Sequence, residues 1–291
     1  MIALTIGLAV LVGVSLGLLG GGGSILTVPL LAYVAGMDAK HAIATSLLVV
    51  GVTSAVGAVS HARAGRVQWR TALLFGTTSM VGAYSGGQLT RFISGDALLV
   101  AFAVIMVVTA IAMLRGRRTP TAAAQTGKAL LAKTAALGLV LGLVTGTVGA
   151  GGGFLVVPAL VLLGGLTMPV AVGTSLAVIA MNSFAGLAGY LSVVQIDWTM
   201  ALMVTTAAVA GALVGSRFAA KVNPELLRKA FGWFVLIMAS VILGEQLDPI
   251  VGYVGIALTG LVPSFMFACN HIAACPLHGL LARPTAAAGT T

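Results

Sequence analysis

The sequence predicts an all-α polytopic membrane protein built from two repeats of inverted topology. Of its 291 residues, 59% are hydrophobic and only 7% are charged, which is too few charges to cover a soluble domain. Apolar runs of about 20 residues, the length of a membrane-spanning helix, recur from end to end. The alternation typical of a barrel strand is absent, so the spans are expected to be helices.

An internal duplication is the second strong signal. Shifting the chain against itself by 129 residues aligns its two halves without a gap, and 22 of the 68 positions from Gly20 to Gly87 are identical. The matching segments are residues 20–36 with 149–165, 44–50 with 173–179, and 82–88 with 211–217. The chain therefore contains two copies of one unit. We call two residues that lie 129 positions apart repeat equivalents.

The segments follow from the apolar runs and from the polar residues between them. Each repeat is expected to open with a broken segment and to continue with three spans. The first repeat, residues 1–114, has its broken segment near 2–36 and spans near 42–61, 70–90 and 97–114. The second repeat, residues 131–245, has its broken segment near 131–165 and spans near 170–191, 198–216 and 227–244. A basic cytoplasmic linker, residues 115–130, joins the repeats, and residues 246–291 form an extra C-terminal transmembrane segment and tail.

Basic residues predict that the repeats are inverted, because such residues mark cytoplasmic loops. The loop after the first unbroken span of repeat one carries Arg63, Arg66 and Arg70, whereas the equivalent loop of repeat two, Ser192–Asp197, carries no basic residue. The next loop shows the reverse. Repeat two has four basic residues there, and repeat one has only one: Arg217, Lys221, Arg228 and Lys229 against Arg91. Equivalent loops are therefore expected on opposite sides of the membrane.

This topology requires the broken segment of each repeat to enter and leave on the same side. Residues 153–165 would span about 20 Å as a helix, less than the roughly 30 Å core of a bilayer. Each repeat is thus expected to open with a glycine-broken, re-entrant helical hairpin whose second arm is a short half-helix. Pro29 and Pro158, which are repeat equivalents in these arms, are predicted to kink them.

The glycine breaks are predicted to bind an anion. A half-helix that starts after a break directs free N–H groups and a positive dipole end into the membrane, and glycine lets a ligand approach the backbone. The substrate-binding candidates are Gly20, Gly21, Gly22, Gly23 and Ser24 in repeat one, and Gly149, Gly151, Gly152 and Gly153 in repeat two. The alternative is that these glycines serve only tight helix packing.

Polar side chains inside apolar spans are further substrate-binding candidates. They are Thr45, Ser46 and Ser54 in repeat one, and Thr174, Ser175, Asn182 and Ser183 in repeat two. Their neutral donors suit an oxyanion, although a hydroxyl that bonds the carbonyl one turn back is an equal alternative. Asn182 is the most polar residue of its span and therefore the strongest candidate among the side chains.

The charged residues argue against cation transport and against nucleic-acid binding. All six acidic residues lie at predicted segment ends, whereas a cation carrier normally needs a carboxylate at membrane depth. The net charge of +9 comes from basic residues between spans, as in an ordinary inner-membrane protein, so no nucleic-acid partner is expected. Proton coupling would require His41, His61 or the substrate itself, and His61 is expected to be interfacial and solvated.

These motifs resemble those of the TauE/SafE family of sulfite exporters. The resemblance lies in the duplicated GLLGGGGSILTVPLL and GTVGAGGGFLVVPAL, in the ATSL and GTSL that follow them, and in GALVGSR, and it covers roughly residues 5–245. It implies an inner-membrane permease that moves small sulfur-containing anions, such as sulfite, sulfoacetate or other organosulfonates, usually by export. It implies neither enzymatic activity nor a cofactor.

Other possibilities stay open at the level of sequence. A passive anion channel could use the same amides. An intramembrane hydrolase would need Ser85 and a histidine at similar depth, but the repeat equivalent of Ser85 is a valine. Cys269, His271, Cys275 and His278 lack a standard zinc spacing, so no metal site is predicted. Besides a small anionic substrate, membrane lipid is an expected partner, and the residues leave open whether protons are coupled to transport and whether a homodimer forms.

Overall fold

The protein consists of helices joined by short turns and loops in the residues that the computed structural model describes, which are 2–19, 24–114, 128–149, 152, 155–157, 159–160, 166–218 and 224–246. These residues contain no strand. The helices in chain order are α1 (Ile2–Leu19), α2 (Thr27–Pro29, continued by a π-helical segment at Leu30–Val34), α3 (Ala39–Arg63), α4 (Trp69–Leu89), α5 (Gly95–Leu114), α6 (Lys128–Val148), α7 (Met168–Tyr190), α8 (Trp198–Phe218) and α9 (Pro224–Gln246). The extra C-terminal segment and most of the linker lie outside the described residues.

The helices coincide with the predicted spans to within a few residues. Three apolar stretches, Ala39–Arg63, Val170–Tyr190 and Trp198–Arg217, are long enough to cross a membrane. Large apolar side chains also lie on the outside of the bundle, where Leu11 and Val108 are each 62% exposed. Such an outer face is typical of a protein surrounded by lipid. The fold is therefore that of a multi-pass helical membrane protein.

The repeat equivalents α3 and α7 cross at the centre of the bundle. They are the most buried of the three spans, with 67% and 72% of their apolar windows inside the protein, against 33% for α8. Their contacts advance along α3 while they retreat along α7: Leu47 with Gly186, Gly51 with Ser183, and Gly57 with Leu176. The two helices are consequently antiparallel where they touch.

Glycine brings two further helix pairs into backbone contact. A Cβ added at Gly142 of α6 would overlap the carbonyl oxygen of Ser79 in α4. Its repeat equivalent Gly13, in α1, meets the carbonyl oxygen of Ala208 in α8 in the same way. One turn further on, the contacts repeat and run in a parallel direction, since Gly146 meets Ala83 and Gly17 meets Ala212. Small residues four apart are the usual means by which membrane helices approach closely.

The remaining repeat-equivalent pair, α5 and α9, packs through large apolar side chains instead. Phe102 and Met106 of α5 and Val235 and Ile242 of α9 are fully buried members of the largest apolar cluster. This cluster also contains Leu47 of α3, so the α5–α9 pair adjoins the central helices.

Two of the acidic residues, all of which were predicted to lie at segment ends, are found at helix starts. The Asp38 carboxylate accepts a hydrogen bond from the Lys40 N–H (3.2 Å) at the start of α3. The Asp197 carboxylate accepts hydrogen bonds from the N–H groups of Thr199 (3.0 Å) and Met200 (3.2 Å) at the start of α8. Both carboxylates satisfy free amides and complement the positive end of the helix dipole.

Gly13→Ala and Gly7→Ala form a matched pair of variants on α1. Each raises helix propensity by about 1 kcal/mol, but a Cβ at position 13 overlaps the Ala208 carbonyl, whereas nothing lies within 4 Å of a Cβ at position 7. We expect Gly13→Ala to lower stability by about 1–3 kcal/mol and Gly7→Ala to leave it equal or higher. The midpoint of thermal unfolding in detergent measures both, and equal midpoints would contradict the backbone contact.

Candidate functional site

The second glycine break begins where α6 ends. The described glycines of this break, Gly149 and Gly152, have φ angles of +74° and +75°, a conformation that favours glycine. The Gly152 carbonyl then accepts hydrogen bonds from the N–H groups of Leu155 and Val156, both at 2.9 Å, so a new helical turn starts directly after it. Gly151, Gly153 and Pro158 lie outside the described residues, as do Gly20, Gly21, Gly22 and Gly23 of the first break.

The first break is followed by a short helical arm. The chain is helical again from Ser24 to Val34, a length of about 16 Å that is too short to span a membrane. Pro29 stands where this arm changes from α-helix to π-helix. Beyond it the Ala35 N–H bonds the Leu30 carbonyl at 3.1 Å, five residues back. The predicted irregularity at Pro29 therefore takes the form of a wider helical turn.

Ser46 holds the second glycine turn against α3. Its buried hydroxyl lies 2.6 Å from the Gly149 carbonyl oxygen, to which it donates, and 3.1 Å from the Ile43 carbonyl oxygen. A Cβ on Gly149 would overlap the Ile43 side chain, so only glycine fits here. The turn thus packs against the first two turns of α3, next to the contact between Leu47 of α3 and Gly186 of α7.

Two further candidate hydroxyls also have partners within the protein. The Thr174 hydroxyl accepts a hydrogen bond from the Gln68 N–H at 3.0 Å, which ties the basic loop after α3 to the start of α7. The Ser175 hydroxyl donates to the Val172 carbonyl at 2.8 Å. Ser46, Thr174 and Ser175 therefore have a structural role, because their hydroxyls bond other groups of the protein.

The other polar candidates retain unpartnered atoms. The hydroxyls of Thr45, Ser54 and Ser183 and the Oδ1 atom of Asn182 are buried without a hydrogen-bond partner among the described residues. The Asn182 amide donates to the Ser79 hydroxyl at 2.6 Å, which leaves only its oxygen unused. A buried polar atom without a partner costs free energy, so such atoms often mark a functional position. Thr45 lies about 13 Å along α3 from Ser54, so these atoms do not form one compact cluster.

A cavity of about 120 Å³ lies between α1, α3, α7 and α8. Its polar lining residues are Thr53, Ser60 and His61 of α3 and Ser216 of α8, and one wall is Leu16–Leu18, just before the first glycine break. The His61 Nδ1 atom is buried and has no hydrogen-bond partner among the described residues, so His61, which the sequence predicted to be solvated, is only partly so. Sequence reasoning did not single out Thr53, Ser60 or Ser216. The cavity volume is large enough for several water molecules or one small anion.

The repeat equivalents of the cavity residues are packed against one another. Gly87, Gly189 and Tyr190 are the equivalents of Ser216, Ser60 and His61 in that order. A Cβ on Gly87 would lie 2.7 Å from the Gly186 carbonyl oxygen and 3.0 Å from the Gly189 Cα. The fully buried Tyr190 donates its hydroxyl to the Thr147 carbonyl at 2.5 Å. One end of the central helix pair is therefore open and the equivalent end is closed.

The open end is also the basic end of α3. Arg63, Arg66 and Arg70 follow His61 in sequence, and the Arg66 N–H donates to the His61 carbonyl at 2.9 Å. Arg217 lies next to Ser216 at the end of α8. By the positive-inside rule this end is expected to face the cytoplasm. Its positive charge raises the local concentration of anions.

Comparisons with known proteins agree on one family. A family model described as "Sulfite exporter TauE/SafE" matches residues 5–242. A "Probable membrane transporter protein" of Xylella fastidiosa is 37% identical over 81% of this chain and 92% of its own length. The "Probable membrane transporter protein YdhB" of Bacillus subtilis is 30% identical over 76% of this chain and 91% of its own length. No solved structure matches the chain.

Two serines of α3 allow the loss of a bonded hydroxyl to be compared with the loss of an unpartnered one. Ser46 and Ser54 are both fully buried, but in the part of the chain that the structure describes only Ser46 bonds another segment. We expect Ser46→Ala to cost about 1–3 kcal/mol, because the Gly149 carbonyl loses its partner, and Ser54→Ala to leave stability unchanged or higher. Thermal unfolding of both variants in the same detergent gives the comparison. An equal loss in both would contradict the assignment of Ser46.

Proposed function

The chain belongs to the sulfite exporter TauE/SafE family, and we propose that it is a secondary transporter that moves small sulfur-containing oxyanions across the inner membrane. The substrate class is sulfite or organosulfonates such as sulfoacetate, and the direction is export. The transporter works by alternating access, in which the site faces one side of the membrane and then the other.

The proposed architecture is a pair of inverted repeats. Three helix contacts support it: α3 and α7 are antiparallel, whereas α1 with α8 and α4 with α6 are parallel. Each of these directions is the one that the basic loops predict for inverted copies. If the copies had the same orientation, the equivalent helices α3 and α7 would run in the same direction. Each repeat then opens with a re-entrant hairpin, of which Ser24–Val34 is the short returning arm in repeat one.

The observation that carries the mechanism is the difference between the two equivalent ends. The end at His61 holds a cavity, whereas the end at Tyr190 is closed by backbone contact and by the bond from Tyr190 to Thr147. Inverted repeats that exchange their conformations would open the second end and close the first. A passive channel would need both ends open at once, so the closed end favours a transporter.

The distribution of charge supports an anionic substrate. The described acidic residues all lie at helix ends, and they are Asp38, Asp96, Asp197, Glu225 and Glu245. A cation at membrane depth would need a carboxylate, and the cavity between α1, α3, α7 and α8 is lined by hydroxyls, an imidazole and apolar groups instead. Together with the glycine turns and the unpartnered hydroxyls, this lining supplies hydrogen-bond donors without negative charge.

Transport is tested in proteoliposomes loaded with radiolabelled sulfite or sulfoacetate. We expect saturable efflux that requires the protein and that slows when unlabelled substrate competes. Vesicles that carry neither anion faster than protein-free vesicles would refute the substrate class. Flux that rises linearly with concentration, without saturation, would favour a channel.

A cysteine pair tests the alternation directly. Ser60 and Ser216 line the open cavity, while their repeat equivalents Gly189 and Gly87 touch at the closed end. A cavity that closes in the same way would bring positions 60 and 216 within the Cα separation of a disulfide, which is under about 7 Å. We therefore expect Ser60→Cys with Ser216→Cys to cross-link during turnover, and oxidation to stop flux until a reductant is added.

The control variants carry only one of the two cysteines, in the same Cys269→Ser, Cys275→Ser background as the double variant. Oxidation should leave their flux unchanged, because a single cysteine has no partner. A fully cross-linked double variant is held with this cavity closed, so undiminished flux in it would show that the cavity need not open again, which would refute alternating access.

A further inference from the structure

Among the described residues, His61 is the only titratable side chain that lines the cavity between α1, α3, α7 and α8. Its ring is half-buried, and the Nδ1 atom has no hydrogen-bond partner among the described residues. The other histidine of α3 has a partner, since His41 Nδ1 lies 3.5 Å from an Asp38 carboxylate oxygen. The two histidines belong to one helix, but only His41 has a carboxylate near its Nδ1 atom.

The charged groups near His61 are all basic among the residues that the structure describes. Arg63 and Arg66 follow it in sequence, and Arg217 ends the neighbouring helix α8. From α1 and α7 no charged residue faces it, because neither helix contains one. The acidic residues flanking α3 and α8, Asp38 and Asp197, lie at the opposite ends of those helices. Within the described residues, no carboxylate is thus available to stabilise an imidazolium at this position.

We propose that His61 binds the transported anion in this cavity through an imidazole N–H, with the hydroxyls of Ser60, Ser216 and Thr53 as further donors. This inference rests on the proposed function and assigns it a binding residue. In the structure Ser216 and Thr53 donate to carbonyls of their own helices, at 2.9 Å and 2.7 Å, and rotation about one bond turns each hydroxyl to a ligand. The anion then supplies the negative charge that the surroundings of His61 lack.

The repeat equivalent of His61 shows how far a ring at this helix position extends. Tyr190 reaches from α7 to the Thr147 carbonyl near the end of α6. The repeat equivalent of Thr147 is Leu18, which lines the cavity beside His61 at the end of α1. A ring at position 61 that followed the direction of Tyr190 would extend across the cavity, and an imidazole is smaller than a phenol and leaves room for a ligand.

Protonation of His61 would be coupled to anion binding. The imidazolium makes a charge-assisted bond to an oxyanion, which is stronger than the bond from the neutral ring. By linkage, a bound anion favours the proton and a bound proton favours the anion, by the same factor. Affinity for an anion of constant charge should therefore rise as the pH falls through the pKa of His61. Transport of the anion would carry a proton with it.

Binding measurements on the purified full-length protein test this role. Sulfoacetate is the probe because its charge is constant between pH 6 and pH 8, and sulfite is the second probe. Calorimetry is expected to show about tenfold tighter sulfoacetate binding at pH 6 than at pH 8 for the wild type. His61→Gln should bind about tenfold more weakly at pH 6 and lose the pH dependence, whereas His41→Gln should behave as the wild type.

A second measurement needs no variant and so does not depend on how His61→Gln folds. Diethyl pyrocarbonate modifies neutral histidines, and mass spectrometry of peptides reports His61 and His41 separately. Saturating sulfite or sulfoacetate is expected to slow modification of His61 at least severalfold and to leave His41 unchanged.

The outcomes separate the two proposals. Unchanged affinity and pH dependence in His61→Gln, or equal modification of His61 with and without anion, would overturn the role of His61 while transport of sulfur oxyanions still stands. A wild type that neither binds nor transports either probe would overturn the proposed function, and the role of His61 with it.

Discussion

Backbone contact through glycine is the constraint on which the rest of the structure depends. In lipid, helices gain little from hydrophobic association, so they are held together by the close packing of small residues. Gly142 lets α6 touch α4, and Gly13 lets α1 touch α8. Since these pairs join different repeats, each repeat is held by the other. The central helices α3 and α7 are then enclosed on both sides, and they carry the buried polar atoms of Thr45, Ser54, Asn182 and Ser183 that have no partner among the described residues.

Hydropathy and the repeat predicted the helices well, because burial in lipid is a property of whole segments. The predicted span at 70–90, for example, is α4 at Trp69–Leu89. The sequence could not show which hydroxyls have a structural role and which are free to bind a ligand, because their hydrogen-bond partners lie far away in sequence. Ser46 bonds Gly149, 103 positions further on, while the equally buried Ser54 has no hydrogen-bond partner among the described residues. The packing role of Gly13 was missed, although its four-residue spacing from Gly17 is itself a packing signal.

The difference between the open and closed ends has its origin in a few sequence differences between the repeats. At the closed end, Gly87 and Gly189 allow the backbones to touch, and Tyr190 fills the remaining space. At the open end, Ser216 and Ser60 have side chains where the equivalents have none. In the proposed alternating-access mechanism, these differences make the two states unequal in energy and favour the state that is open at His61 when no ligand is bound. A ligand shifts this equilibrium only through its different affinity for the two states.

An anion-binding site must also be able to release its anion, and a site whose positive charge comes from an imidazole can do so by losing a proton. A fixed arginine in a low-dielectric cavity would hold an oxyanion strongly and could not give up its charge. Backbone amides and hydroxyls, by contrast, orient an anion without a full charge. Adding a single histidine allows the attraction to be present when the anion enters and absent after the proton has left. In the proposed mechanism, loss of the proton from His61 therefore lowers the affinity of the site on the side where the anion must leave.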